Sequence, residues 1–223
     1  MSFSEELRKE ASEVWEAWHD HPFVKGIGDG RLERDKFEYW IKQDYVYLID
    51  YARVFAFAAG KSDDLKLMQK FAELLDGVVN TEMELHRNYA EQFGISKEEL
   101  EEVEKSPTCQ AYTDFLVRTA STGTTAEIVA ALLPCFWGFL EIGERLAEEG
   151  DTRDENPYKN WIEMYSSDEF KDLADWSKDL MDQLAKKGGE EKKERLKKIF
   201  LTSSRLELKF WDMAYNREDW QAD

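Results

Sequence analysis

Polar side chains that fall on the apolar stripe of a helix are where chemistry is to be sought, because burying them costs free energy unless something compensates. Asp44 shares such a stripe with Phe37, Trp40, Ile41, Tyr47, Leu48, Tyr51 and Phe55. Glu207 lies three or four residues from Ser203, Phe210 and Trp211. Cys135 stands between Leu132 and Phe139, directly after Pro134. A proline there has no N–H to give, so it frees the Ala130 carbonyl and bends the axis. Glu82 and His86, at i and i+4, continue the line of Leu75 and Val79, while Tyr47, Tyr51, Tyr112 and Tyr165 add hydroxyls to apolar faces.

Each of these residues alone has an ordinary structural explanation. An inward cysteine is usually a small inert hydrophobe, and an inward carboxylate usually pairs with a cation, for which Arg53 and Arg205 are at hand. Glu82 and His86 could be a helix-face pair, and inward tyrosines are usually core. Two carboxylates, a thiol and several tyrosines on inward faces of different helices instead predict a polar pocket in a helical bundle. A thiolate is the strongest nucleophile available at neutral pH, and a carboxyl buried among aromatics can deliver a proton. A second carboxylate can accept hydrogen bonds from amino groups, and aromatic faces can stack on a ring. The set suits a thiol-dependent reaction on a flat, nitrogen-rich heteroaromatic. No glycine-rich phosphate cradle is present, which argues against nucleotide phosphates. Three histidines, with Glu82 and His86 as the one ligand-like pair, fall short of a di-iron bundle.

The elements that must hold these residues read as all-α. Apolar residues recur at three and four in Leu7, Ala11, Val14, Trp15, Trp18, and from Phe37 to Phe55. The same spacing runs through Leu65–Val79, Tyr112–Leu116, Ile128–Leu146, Phe170–Leu184 and Leu196–Ala214. With 4 Pro and 12 Gly there is little to interrupt a helix, and no segment alternates with period two. Ser4 opens the first helix and His21-Pro22 ends it; Asp35 starts the second. Glycine-containing breaks at 60–64, 94, 123, 150–157 and 188–189 divide the rest. No linker exceeds about ten residues, so residues 1–223 are expected to form a single domain. The Lys/Glu-rich stretch 186–198 reads as a solvated helix face.

Composition narrows the class. The 223 residues carry 30 Lys+Arg against 48 Asp+Glu, a net charge of −18 without a basic stripe, which argues against nucleic-acid or anionic-membrane partners. No apolar run is expected to reach the ~18–20 residues of a membrane span, and the start has no signal-peptide pattern. Two cysteines form neither a disulfide framework nor a four-cysteine zinc site, so a reducing, cytoplasmic setting is expected.

Four strings, in order and spacing, resemble the TenA (thiaminase II) family: Gln43-Asp44-Tyr45 through Tyr51, Leu133-Pro134-Cys135-Phe136-Trp137 through Gly143, Ser203-Ser204-Arg205-Leu206-Glu207, and Phe210-Trp211-Asp212-Met213-Ala214. The likeness extends over Glu82–His86, Gln110–Thr113, Asn156-Pro157-Tyr158, Trp161 and Tyr165. The resemblance implies a haem-oxygenase-like helical fold, a homotetramer and thiamin salvage without a bound cofactor or metal. Members hydrolyse 4-amino-5-aminomethyl-2-methylpyrimidine to the hydroxymethylpyrimidine and ammonia, and many cleave thiamin to that pyrimidine and the thiazole. Carried onto this chain, Cys135 resembles the nucleophile, Glu207 the acid that protonates the ring and later helps activate water, and Asp44 the carboxylate that holds the amino functions. Tyr47, Tyr112, Tyr165 and Phe210 resemble residues that bind or stack on the pyrimidine, and Tyr51 and Phe139 are grouped with them. Phe139 departs from the family, in which a tyrosine is common one turn after the nucleophile. The competing readings are a haem enzyme with His19 or His21 on the iron, a non-enzymatic pyrimidine sensor, and a purely structural assembly.

Overall fold

Residues 1–151 and 153–220 are described by the structure, a computed structural model. Among the described residues every regular element is helical and none is a strand, in keeping with the three-and-four spacing. In chain order they are α1 (Phe3–Glu10), α2 (Ser12–Asp20), α3 (Pro22–Gly28), α4 (Arg34–Gly60), α5 (Leu65–Asp76), a π turn (Gly77–Glu82) and α6 (Met83–Gln92). There follow α7 (Lys97–Glu101), α8 (Pro107–Thr122), α9 (Thr125–Glu149), α10 (Lys159–Tyr165), α11 (Asp168–Lys186) and α12 (Glu190–Asn216).

Short polar side chains set many of the starts. Ser2, two residues before the expected Ser4, caps α1 in a reciprocal box with Glu5; Ser4 instead reaches Asp182. Ser96 and Glu99 repeat the box at α7, and Ser106 with Pro107 opens α8. The expected first helix divides at Ala11, whose φ of −91° and ψ of 7° leave the helical well. The helix expected through Val79 gives way at Gly77 to the π turn. The expectation about apolar length is corrected at α9. That helix is long and apolar enough by composition to cross a membrane, and 83% of its most apolar window is buried inside the protein, as in a core helix.

The chain divides into two compact units, Met1–Glu33 with Val129–Asp212, and Arg34–Ile128 with Met213–Asp223. In the first, α2 packs against α9 and α12. Trp15 stacks on Trp18 at 4.6 Å and on Phe200 at 5.8 Å, and meets Trp137 edge-on. The two indole N–H groups donate to Ser204, Trp15 to its Oγ at 3.0 Å and Trp18 to its carbonyl at 3.1 Å. Both indoles are therefore buried without an unmatched donor. Trp18 fits because residue 138 is glycine; a Cβ there would stand 2.2 Å from the ring.

In the second unit α4 carries the core, with Phe37, Trp40, Ile41, Val54 and Phe55 buried. Gln43 grips the loop before α8 from both ends of its amide: Nε2 donates to the Glu104 carbonyl at 3.0 Å and Oε1 accepts from Ser106 N–H at 2.9 Å. Asp50 pairs with Lys105 and Arg53, tying the same loop two helical turns further along. These bonds fix α8 against α4.

Candidate active site

The sequence-predicted residues fall into one set in each unit. In the first unit α9 supplies Cys135 and Phe139, α12 supplies Glu207 and Phe210, and α10 supplies Tyr165. Glu207 is 3% exposed, Phe139, Phe210 and Tyr165 are buried, and Cys135 is half-buried. Two contacts fix the relation of α9 to α12. The Ser203 hydroxyl donates to the Ala131 carbonyl at 2.6 Å, and the rings of Phe139 and Trp211 are 5.2 Å apart. Residues 131 and 203, and residues 139 and 211, share an offset of 72, so the helices run parallel in constant register. Cys135 and Glu207 have that offset too. Each is one turn on from the hydrogen bond and one turn before the ring contact, on the face that makes both. The thiol and the carboxyl therefore stand at one level of two neighbouring helices.

The α9 helix continues through Pro134, and the carbonyl next to the one that this proline frees is taken up by Ser203 from α12. The residue that sequence spacing alone does not pick out is Ser203, a buried serine one turn before the candidate acid that bonds across to α9. Aromatic rings close the level beyond. Phe139 lies 4.8 Å from Tyr165 and 6.1 Å from Trp161, and Tyr165 meets Phe170 edge-on at 5.0 Å. Gly143 lets α10 approach this closely, because a Cβ there would be 2.5 Å from the Tyr165 carbonyl carbon.

In the second unit Asp44, Tyr47 and Tyr51 lie along one buried stripe of α4. Tyr47 stacks on Tyr51 at 5.5 Å and meets Tyr112 of α8 at 5.4 Å. Asp44 does not pair with Arg53, which goes to Asp50, and Arg205 is exposed. His86 takes that place: its Nε2–H donates to Asp44 Oδ2 at 2.6 Å. Glu82 and His86 are thus not a surface pair. Burial pushes the His86 pKa down, but the hydrogen bond and charge of Asp44 and the charge of Glu82 together raise it above the usual histidine value. Burial raises the Glu82 carboxyl.

The other cysteine is different in kind. Cys109 is fully buried with its Sγ against the Gln43 carbonyl, and burial pushes its thiol up to about 12. It is chemically silent at neutral pH. Of the two histidines near the first helices, His21 caps Phe23 N–H through Nδ1 and contacts Asp212 through Nε2, so both its ring nitrogens are engaged.

Residues 8–217 match the model of the TENA/THI-4/PQQC family. The chain belongs to that family. It is 49% identical over 220 residues, 99% of this chain and 98% of the relative, to the aminopyrimidine aminohydrolase of Halalkalibacterium halodurans. Among solved structures it is similar to the TenA homologue of P. horikoshii OT3, at 30% identity and a TM-score of 0.88, covering 97% and 99% of the two chains. It resembles haem oxygenase-1 of Synechocystis in complex with haem at a TM-score of 0.63 over 95% and 91% of the chains. At 16% identity that likeness concerns the fold alone, which is haem-oxygenase-like, as the family resemblance implied.

Proposed function

We propose that this family member is an aminopyrimidine aminohydrolase, converting 4-amino-5-aminomethyl-2-methylpyrimidine and water to the hydroxymethylpyrimidine and ammonia. The supporting observation is the parallel register of α9 and α12, which sets Cys135 and Glu207 at one level beside an aromatic wall. The 49% identical relative carries the name of that activity over nearly its full length. In this reading Glu207 protonates a ring nitrogen, so the pyrimidine becomes an electron sink and the Cys135 thiolate can add to it. The amine, carried by the substrate in its ammonium form, leaves the exocyclic methylene as ammonia, which takes back the ring nitrogen's proton once the ring is restored. Water, activated by the Glu207 carboxylate, adds to that methylene, and the thiolate departs as the ring is restored. Asp44 accepts from the amino group, while Tyr47, Tyr51, Tyr112, Tyr165, Phe139 and Phe210 bind or stack on the ring.

The same proposal takes residues 1–223 as one catalytic domain that uses neither cofactor nor metal and acts on a small pyrimidine rather than on nucleic acid or a membrane. A reducing, cytoplasmic setting belongs to it, because the mechanism needs Cys135 reduced. A homotetramer belongs to it as well, supported by the exposed apolar side chains Ile49, Phe57, Leu65 and Met68 on α4 and α5. Phenylalanine at 139, in place of the tyrosine common in the family, removes one hydroxyl near the thiol and so bears on the choice between the amine and intact thiamin. The test is a side-by-side assay of ammonia release from the aminomethylpyrimidine and thiazole release from thiamin. Ammonia release is expected; absence of both products would overturn the reading.

A further inference from the structure

The second unit holds a buried polar group that the mechanism above leaves without a task. His86 is 6% exposed, and its imidazole Nε2–H donates to the buried Asp44 carboxylate at 2.6 Å. Two carboxyl groups, Asp44 at hydrogen-bond distance and Glu82 close by, favour the protonated ring over the neutral one despite its burial. The π turn has a part in this. Its widened helix ends on Glu82, and the four residues of α6 that follow bring His86 to the Asp44 stripe. Among the described residues no other donor reaches the Asp44 carboxylate, so Oδ2 is committed to His86 and Oδ1 is left open.

The charged groups around the ring are few. Asp44 faces it from α4 and Glu82 from the π turn. On α6 itself Arg87 turns to Glu84 and Tyr45. At α7, Glu99 pairs with Lys42. Lys105, before α8, pairs with Asp50, and Cys109 of α8 is a buried thiol.

We propose that His86 is a positioning residue of the aminopyrimidine site: its imidazolium holds the Asp44 carboxylate by one oxygen and leaves the other to accept the substrate's amino N–H. This deepens the proposed function and rests on it. A carboxylate already balanced by an imidazolium accepts from a neutral amino group without requiring a cation, and its rotamer is set before substrate arrives. His86 touches no reacting atom, so its loss should be felt in binding more than in turnover.

Three histidines in the chain make the ring directly observable. In uniformly nitrogen-15-labelled protein, one histidine is expected to titrate above the usual value with both nitrogens protonated at neutral pH. His19 and His21 titrate below it. The high-titrating signal should move downward in pH in Asp44→Asn, and its Nε2 resonance should shift when the hydroxymethylpyrimidine product is added. His86→Gln retains a neutral donor but no charge. It is expected to raise KM for the aminomethylpyrimidine about tenfold, the scale of one charge-assisted hydrogen bond, with kcat changed less than about threefold. His86→Ala should raise KM further, so that glutamine rescues part of the loss. A folded His86→Gln with wild-type KM, or three histidines that all titrate low, would overturn the proposal. A wild-type chain that neither releases ammonia nor binds the product would instead refute the aminohydrolase reading itself.

Discussion

Replacing Ser203 by alanine removes the hydroxyl that bonds the Ala131 carbonyl while keeping the Cβ and the backbone. The site is fully buried, so no water replaces the donor, and a neutral hydrogen bond of this kind contributes about 0.5–1.5 kcal/mol. For a chain of this length 1 kcal/mol corresponds to roughly 2–4 °C in melting temperature. The effect on stability is therefore modest. The effect on catalysis should be larger, because the bond sets the register one turn before Cys135 and Glu207, and a displacement of about 1 Å between reacting groups can cost up to about a hundredfold in rate. Ser203→Ala is expected to lose a few degrees of melting temperature and about tenfold in kcat, with KM changed less than about threefold. Thermal melts by circular dichroism and initial rates of ammonia release measure both. A variant that melts as predicted but turns over at the wild-type rate would refute the argument that this bond sets the level of thiol and acid.

Iodoacetamide on the folded protein should alkylate Cys135 and spare Cys109, which is buried with its thiol pushed up to about 12; intact-protein mass and peptide mapping check this, and activity should fall with the single adduct. Gly143→Ala drives a Cβ to 2.5 Å of the Tyr165 backbone, which cannot yield as a side-chain tip would, so stability should fall by about 1–3 kcal/mol in denaturant melts and KM should rise as Tyr165 shifts. The histidines give stability a pH signature. The folded-state pKa of His86 is raised, so its contribution is full below about pH 6.5 and is lost as pH rises through the folded value. Burial lowers His19 and His21, so stability falls as pH drops below about 6.5. The melting-temperature gap between wild type and His86→Gln should be widest near pH 6 and narrow toward pH 9; a gap independent of pH would contradict the charged imidazole.

The fold class was readable from three-and-four spacing because that pattern reports which face of a helix is buried, whatever it is buried against. Asp44, Glu207 and Cys135 stood out because each interrupts an apolar stripe. What the spacing does not carry is the partner across helices. Arg53 and Arg205 were plausible counter-ions by composition, yet Asp50 takes the first and solvent the second, while His86, 42 residues from Asp44, makes the bond. Ser203 and Ala131 are likewise 72 residues apart. Local breaks were also hidden. The π turn starts at Gly77 in the middle of a continuous helical spacing, and Ala11 divides α1 from α2 without a glycine or proline. The apolar reach of α9 was underestimated because Glu127, near its start, and the acids at its end bracket a long uncharged run.

The central claim is that this family member hydrolyses the aminomethylpyrimidine through Cys135. Cys135→Ser changes one atom, and its rate of ammonia release from 4-amino-5-aminomethyl-2-methylpyrimidine is the most direct measurement. A hydroxyl is a far poorer nucleophile than a thiolate at neutral pH, so the rate should fall by roughly a thousandfold or more, while the hydroxymethylpyrimidine product still binds with wild-type affinity. Ammonia release at a near-normal rate from that variant would contradict the account.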